Sequence, residues 1–161
     1  MYKKEKGVTL LVLVVMIVVL LIIAGITISI GTKTIEKAGL ESVKTNMLLI
    51  QAKAKEYVEN ANFKQGKNAE ITDDAKSCLK GTVLAGEELN KINYTPNTNE
   101  LIYSLSQENL NEMGVKNVDP SKYFIVYDVK NCKVEIIYAD GVEKSDGTKA
   151  YTLTEIEKIN S

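Results

Sequence analysis

The chain is 161 residues long, with 20 basic and 21 acidic residues and a net charge of −1. This length accommodates one modest soluble domain plus an anchor, and this charge provides no strong field toward nucleic acid or an anionic lipid surface. Every basic residue is Lys, and Arg, His and Trp are absent. That weighs against bidentate reading of guanine or phosphate and removes His-dependent acid–base catalysis, Ser–His triads and most zinc sites.

The first predicted element is N-terminal. Met1–Lys6 sets Lys3, Lys4 and Lys6 against a single Glu5, and no charge then occurs from Gly7 to Gly31. Val8 to Ile30 is an apolar run of 23 residues. At about 1.5 Å per residue, a helix of that length spans roughly 35 Å, enough for the ~30 Å hydrocarbon core with some tilt. The basic cluster stays cytoplasmic by the positive-inside bias, which places the rest of the chain outside. A secretory signal peptide would have an apolar core of about 7–15 residues closed by a small-residue cleavage site. This run is longer and no such site closes it. A plain signal anchor and an anchor processed at its cytoplasmic edge are the two readings that stand.

The edge itself reads Lys6-Gly7-Val8-Thr9-Leu10-Leu11. It resembles the leader junction of type IV pilins and type II secretion pseudopilins: a short basic leader, a Gly, then an apolar residue followed by Thr-Leu. The resemblance is specific over residues 3–30 and architectural beyond them. It implies that a membrane-embedded aspartyl prepilin peptidase recognises the junction around Lys6, Thr9 and Leu10. It further implies a cut between Gly7 and Val8 and methylation of the new N-terminus at Val8. Gly at the water–lipid boundary permits the open, extended backbone that a peptidase must grip. Family members usually carry Phe first and Glu fifth after the cut; here Val8 and Val12 hold those places. In the family that Glu is thought to neutralise a neighbour's N-terminal ammonium within the filament, and a buried ammonium without a partner is costly. Val12, at the position of the usual filament carboxylate, cannot serve. Two ranks fit: a minor or tip subunit, or a divergent pilin-like protein of the kind found in single-membrane bacteria. No Pro interrupts the anchor, so Gly25, with Thr27 and Ser29 near it, is the soft point of the helix.

After the anchor, apolar positions recur in helical steps of three or four: Ile35, Gly39, Val43, Met47, Ile50, Ala54, Tyr57 and Ala61. Lys33, Lys37, Glu41, Lys44, Gln51, Lys55 and Glu59 mark the other side. The spacing predicts one helix from Val8 to Ala61, apolar all round in its first half and amphipathic in its second. Gly31 and Gly39 are places where it could bend. The alternative is an anchor, a hinge at Gly31-Thr32 and a separate helix. Asn62–Asn68 reads as a loop. Thr72 is expected to cap a short helix through about Lys80, stopped at Gly81, and Glu87–Ile92 to form another helical turn or two. Leu101–Leu105 reads as a strand, and Ser106 as the cap of a helix Gln107–Met113 that stops at Gly114. The clearest strand signal is Tyr123–Tyr127. A turn at Lys130-Asn131 then leads into alternation at Val134, Ile136 and Tyr138, an antiparallel hairpin. Asp140-Gly141 and Asp146-Gly147 read as turns, Lys149–Thr152 as a third strand, and Thr154 as the cap of a last helix Glu155–Ile159.

Chemistry-bearing constellations are sparse. Asp73-Asp74 and Glu87-Glu88 are adjacent pairs that diverge on a helix, where carboxylates in the first turn suit the dipole. The Asp140–Asp146 segment resembles the calcium loop of major secretion pseudopilins in its place near the C-terminus. It lacks the dense alternating carboxylates of such a loop, and two Asp-Gly pairs read more simply as turns. Cys78 and Cys132 are the only cysteines. On the outside of a membrane they read as one disulfide, closing a loop of roughly 50 residues and adding about 3–4 kcal/mol, or as two small buried thiols. The tyrosines do not interleave with Lys as a stacking platform for single strands would.

The expected fold class is α+β: a long N-terminal helix, transmembrane then amphipathic, packed on a small antiparallel sheet in the manner of a pilin head. The expected organisation is a leader over 1–7, a membrane or filament-core helix over 8–30, its amphipathic continuation over 31–61 and an extracytoplasmic head over 62–161. No catalytic residue, metal or cofactor is expected. The expected function is that of a structural subunit of a type IV pilus-like or type II secretion-like filament, held in the cell membrane by a single pass and exposed at the surface after assembly. The resemblance implies as partners the membrane, sister subunits, a prepilin peptidase, a platform protein and an assembly ATPase, with no direct nucleic-acid binding. The alternative is a permanently anchored extracytoplasmic binding or adhesion protein that does not polymerise. An anchored enzyme is a third class, disfavoured by the missing His.

Overall fold

In the computed structural model of the chain, the structure describes the backbone of residues 5–65 and 70–160, and the side chains of residues 12–21, 38–62 and 70–159. Helix α1 runs Glu5–Gln65. It continues through Gly31 and Gly39 and beyond Ala61, so residues 62–65 are helical and not loop. The chain divides into two compact units, residues 1–41 and 42–161, and the second half of α1 belongs with the sheet.

The second unit is built on five antiparallel strands in the order β1-β2-β3-β4-β5. These are β1 (Thr82–Val83), β2 (Glu100–Ser104), β3 (Tyr123–Asp128), β4 (Lys133–Glu143) and β5 (Lys149–Thr152). The fold class is therefore α+β. All five residues Tyr123–Tyr127 are buried, because both faces of the central strand are covered. Phe124 and Val126 point to one face, with Ile102 and Ile137, under Ile92, Leu89 and Leu84. Tyr123, Ile125 and Tyr127 point to the other. There α1 lies across the sheet: Asn46 Nδ2 donates to the Tyr123 hydroxyl at 3.4 Å, and Gln51 Nε2 donates to the Val134 carbonyl at 3.2 Å. Met47, Ile50, Ala54 and Val58 fill the contact, almost wholly buried. The buried stripe matches the expected spacing at Met47, Ile50 and Ala54 and then passes to Val58, while Gly39 is exposed and Val43, Tyr57 and Ala61 are half-buried; the Ile35 side chain lies outside the described residues. Gln51, expected on the outer side, reaches the sheet.

The short elements follow local cap chemistry. Thr72 caps α2 (Asp73–Ser77) by accepting from the Ala75 N–H at 3.1 Å. This helix stops three residues earlier than expected. The Tyr103 hydroxyl donates toward the carbonyls of Ala75 and Lys76, each at 3.2 Å, which ties α2 to the sheet. Gly81 then has φ +123°, and a Cβ there would lie 2.4 Å from the Ser104 carbonyl oxygen, so only glycine lets β1 approach β2. Gly86–Lys91 is a 3₁₀ turn. Ser106 caps α3 (Gln107–Glu112) in a reciprocal box with Asn109. The last helix, α4 (Leu153–Glu157), is capped by Thr152 and not Thr154: Thr152 and Glu155 form the capping box, and Leu153 and Ile156 are buried.

Asp140-Gly141 is not a turn. It lies inside β4, where the register to β5 slips between Ile137↔Thr152 and Val142↔Ala150. Gly141, at φ +66°, makes room for the Tyr151 ring, which a Cβ would meet at 2.7 Å. A glycine that resembles a turn in sequence marks a bulge here.

Candidate functional site

Two surfaces stand out, one in each unit. In the first, Val12–Leu21 are ten consecutive apolar residues of α1, all exposed, Val12 to 52%. A helix that is apolar on every side has no water-facing stripe and is stable only when something apolar surrounds it. Among the described residues no helix is long and apolar enough to cross a membrane; of the 8–30 run, the described side chains are those of residues 12–21. Lys6, Gly7, Val8, Thr9 and Leu10 lie in the helical backbone of α1, with their side chains outside the described residues, as are those of Gly25, Thr27 and Ser29. Gly7 is therefore helical here and not extended.

The second surface is a groove of about 750 Å³ in the head. Its floor is the start of β4. Lys133–Ile136 pair with β3 on one side, but β5 joins β4 only from Ile137 onward. Side chains hold the open edge in place of a strand. Gln51 donates to the Val134 carbonyl and accepts from Lys55 Nζ at 3.1 Å. Glu135 accepts from the Ile136 N–H at 3.0 Å, and its other oxygen accepts from the Thr154 hydroxyl. Farther along the groove the Tyr94 hydroxyl donates to Glu100 at 3.1 Å, and Glu100 also accepts from the Asn97 N–H at 3.0 Å. Burial, then the Glu100 hydrogen bond and the charges of Glu100, Glu135 and Asp128, push the Tyr94 hydroxyl up to about 12, so it remains a donor. Periodicity could not reveal this groove. Its residues come from α1, α4, strands β2 to β5 and two loops, elements that the sequence offers one by one with nothing to bring them together.

The other expected site residues are separated. Asp140 pairs with Lys122 at 2.6 Å and accepts from the Tyr138 hydroxyl at 3.3 Å, and Lys122 holds its carboxyl below the usual range. Asp146 accepts from the Thr148 N–H and hydroxyl at 2.9 and 2.6 Å in its own turn. The two carboxylates are thus committed to different partners, and among the described residues no group of three or more such side chains could hold a metal ion. Cys78 and Cys132 are both free thiols. Cys78 ends α2, half-buried, while Cys132 sits exposed in the β3–β4 turn at φ 53° with its Sγ 3.8 Å from the Val129 carbonyl. Cys132 Sγ thus reaches its own turn, and no bond joins it to Cys78 in this structure.

No family model, curated protein or solved structure matches this chain.

Proposed function

We propose that this chain is a structural subunit of a pilus-like or secretion-like surface filament, made as a precursor and cut between Gly7 and Val8. The observation that carries the reading is the junction Lys6-Gly7-Val8-Thr9-Leu10, which opens an uncharged run of 23 residues, Val8–Ile30. The exposed apolar helix Val12–Leu21 supports it, since that surface needs lipid or sister helices around it. So does the head, in which the second half of α1 lies against an antiparallel sheet. Residues 8–30 form the membrane span, and the head faces outward. Prepilin peptidase, a platform protein, an assembly ATPase and sister subunits are its partners. Leu48 and Leu49, exposed on α1, extend the apolar surface available to a sister helix. The chain binds no nucleic acid and catalyses no reaction.

Val12 favours a minor or divergent rank, because no carboxylate stands there for a neighbour's ammonium. The same residue favours a second reading, a permanently anchored binding protein that never polymerises. Co-expression with a prepilin peptidase tests the processing: the chain shortens, and Gly7→Leu abolishes the shortening. A wild-type chain that is never cut, or a variant cut normally, defeats the proposal. Recovery of the processed chain in sheared surface fibres separates the filament subunit from the anchored binder.

A further inference from the structure

The open edge of β4 is independent of the N-terminal reading. A strand edge presents unpaired N–H and C=O groups that another chain can complete. Proteins blunt such edges with charges, bulges or covering elements. Here the covering is reversible: two side chains, Gln51 on the Val134 carbonyl and Glu135 on the Ile136 N–H, occupy ladder positions that a backbone would fill. Both are half-buried, and neither is part of the buried core. The free stretch, Lys133–Ile136, is about 13 Å long at 3.3 Å per residue, enough for four residues of an added strand.

The groove's charge selects what is added. Glu59, Glu100, Asp128 and Glu135 line it against Lys55 and Lys133, four carboxylates to two ammonium groups. Among the described residues no ion pair joins any of these six. Glu100, Asp128 and Glu135 are instead held by neutral donors: Tyr94 and Asn97, Asn131, and Thr154 with the Ile136 N–H. Carboxylates oriented by neutral hydrogen bonds keep their charge for an incoming cation. Val126 on one face of the sheet, and Val134 with Val58 on the other, supply apolar surface for alternate side chains.

We propose that the edge of β4 at Lys133–Ile136 is a strand-addition site for an extended peptide segment of another protein that bears lysine or arginine on alternate residues. Backbone pairing supplies the binding and the groove's carboxylates supply the selectivity. Gln51 and Glu135 are the side chains that the segment displaces.

The test uses the full chain in a mild detergent and a fluorescent hexapeptide alternating valine and lysine, read by polarisation. Two control peptides accompany it, one with glutamate in place of lysine and one N-methylated on alternate backbone amides. The valine–lysine peptide is expected to bind at least tenfold more tightly than either control. Gln51→Ala, which frees the Val134 carbonyl, is expected to tighten binding several-fold, and Asp128→Asn to weaken it several-fold. Equal binding of the N-methylated peptide would overturn the proposal, leaving only charge attraction. Absence of lysine-peptide binding to both wild type and Gln51→Ala would overturn it too. So would self-association that Gln51→Ala strengthens without any peptide binding, which would make a second copy the occupant.

Discussion

Cys78 and Cys132 are chemically unlike although both are free. Burial, with the nearby Cys132 thiolate adding to it, pushes the Cys78 thiol up to about 11 from an ordinary value of 9.0, while Cys132 is exposed. A rise of about two pH units lowers the thiolate fraction roughly a hundredfold at pH 8, and the thiolate is the nucleophile. Brief treatment of the folded chain with iodoacetamide at pH 8 should therefore label Cys132 at least tenfold faster than Cys78, as read by peptide mass mapping. Equal rates would contradict the described environments. The composition offers two cysteines, but whether they face each other depends on how the fold places α2 and the β3–β4 turn. At this scale the legible residues were those acting within their own segment. Thr72 and Ser106 cap the helices expected of them because the cap bond spans only three residues. Gln51 was misread because its partner, Val134, lies 83 residues away.

Elements were legible in proportion to how far their own sequence decides them. β5 matches its expected range, and β3 extends it by one residue, because β-branched and aromatic residues bounded by turns leave few alternatives. β1, two residues long, exists only through its pairing with β2 and carries no pattern of its own. The bulge in β4 was hidden behind Asp140-Gly141, which locally has the chemistry of a turn. Two consequences can be measured at this scale. Ile50 is completely buried where α1 meets the sheet, and Ile50→Ala is expected to cost about 2–5 kcal/mol in urea denaturation of the full chain in detergent; a loss under about 1 kcal/mol would mean that α1 does not rest there. In α4, hydrogen bonds from the Tyr151 and Thr152 N–H groups hold the Glu155 carboxyl below its ordinary 4.5. A depressed carboxylate contributes stability above its unfolded value and loses it as pH falls through the lower folded value. Asp119, Asp140 and Asp146 are lowered likewise, so the urea midpoint should fall below about pH 4.5. Glu155→Gln keeps the shape of the cap without the titration. It is expected to cost under about 1 kcal/mol at pH 7 and to narrow the difference between pH 7 and pH 3. An unchanged difference would remove Glu155 from that account.

The head has an apolar core, and the first unit presents an exposed apolar helix surface at Val12–Leu21. Among the described residues the core holds no buried polar or charged side chain, whereas Val12–Leu21 stay exposed. Those ten are about half exposed, so at about 1.5–3 kcal/mol per fully buried large apolar side chain, covering them is worth on the order of 8–15 kcal/mol, comparable to the net stability of a typical domain. That imbalance was legible from the sequence, because an uncharged run needs no partner to be recognised. What covers that surface leaves no mark in the sequence of one chain. A cut after Gly7 decides between the proposed processed filament subunit and a plain anchor. Its most direct test is the intact mass and N-terminal peptide of the chain recovered from membranes of cells that express a prepilin peptidase. The account predicts a mature chain beginning at Val8 with a methyl group on its amino nitrogen. A chain still beginning at Met1, with Lys6 and Gly7 retained, would contradict it.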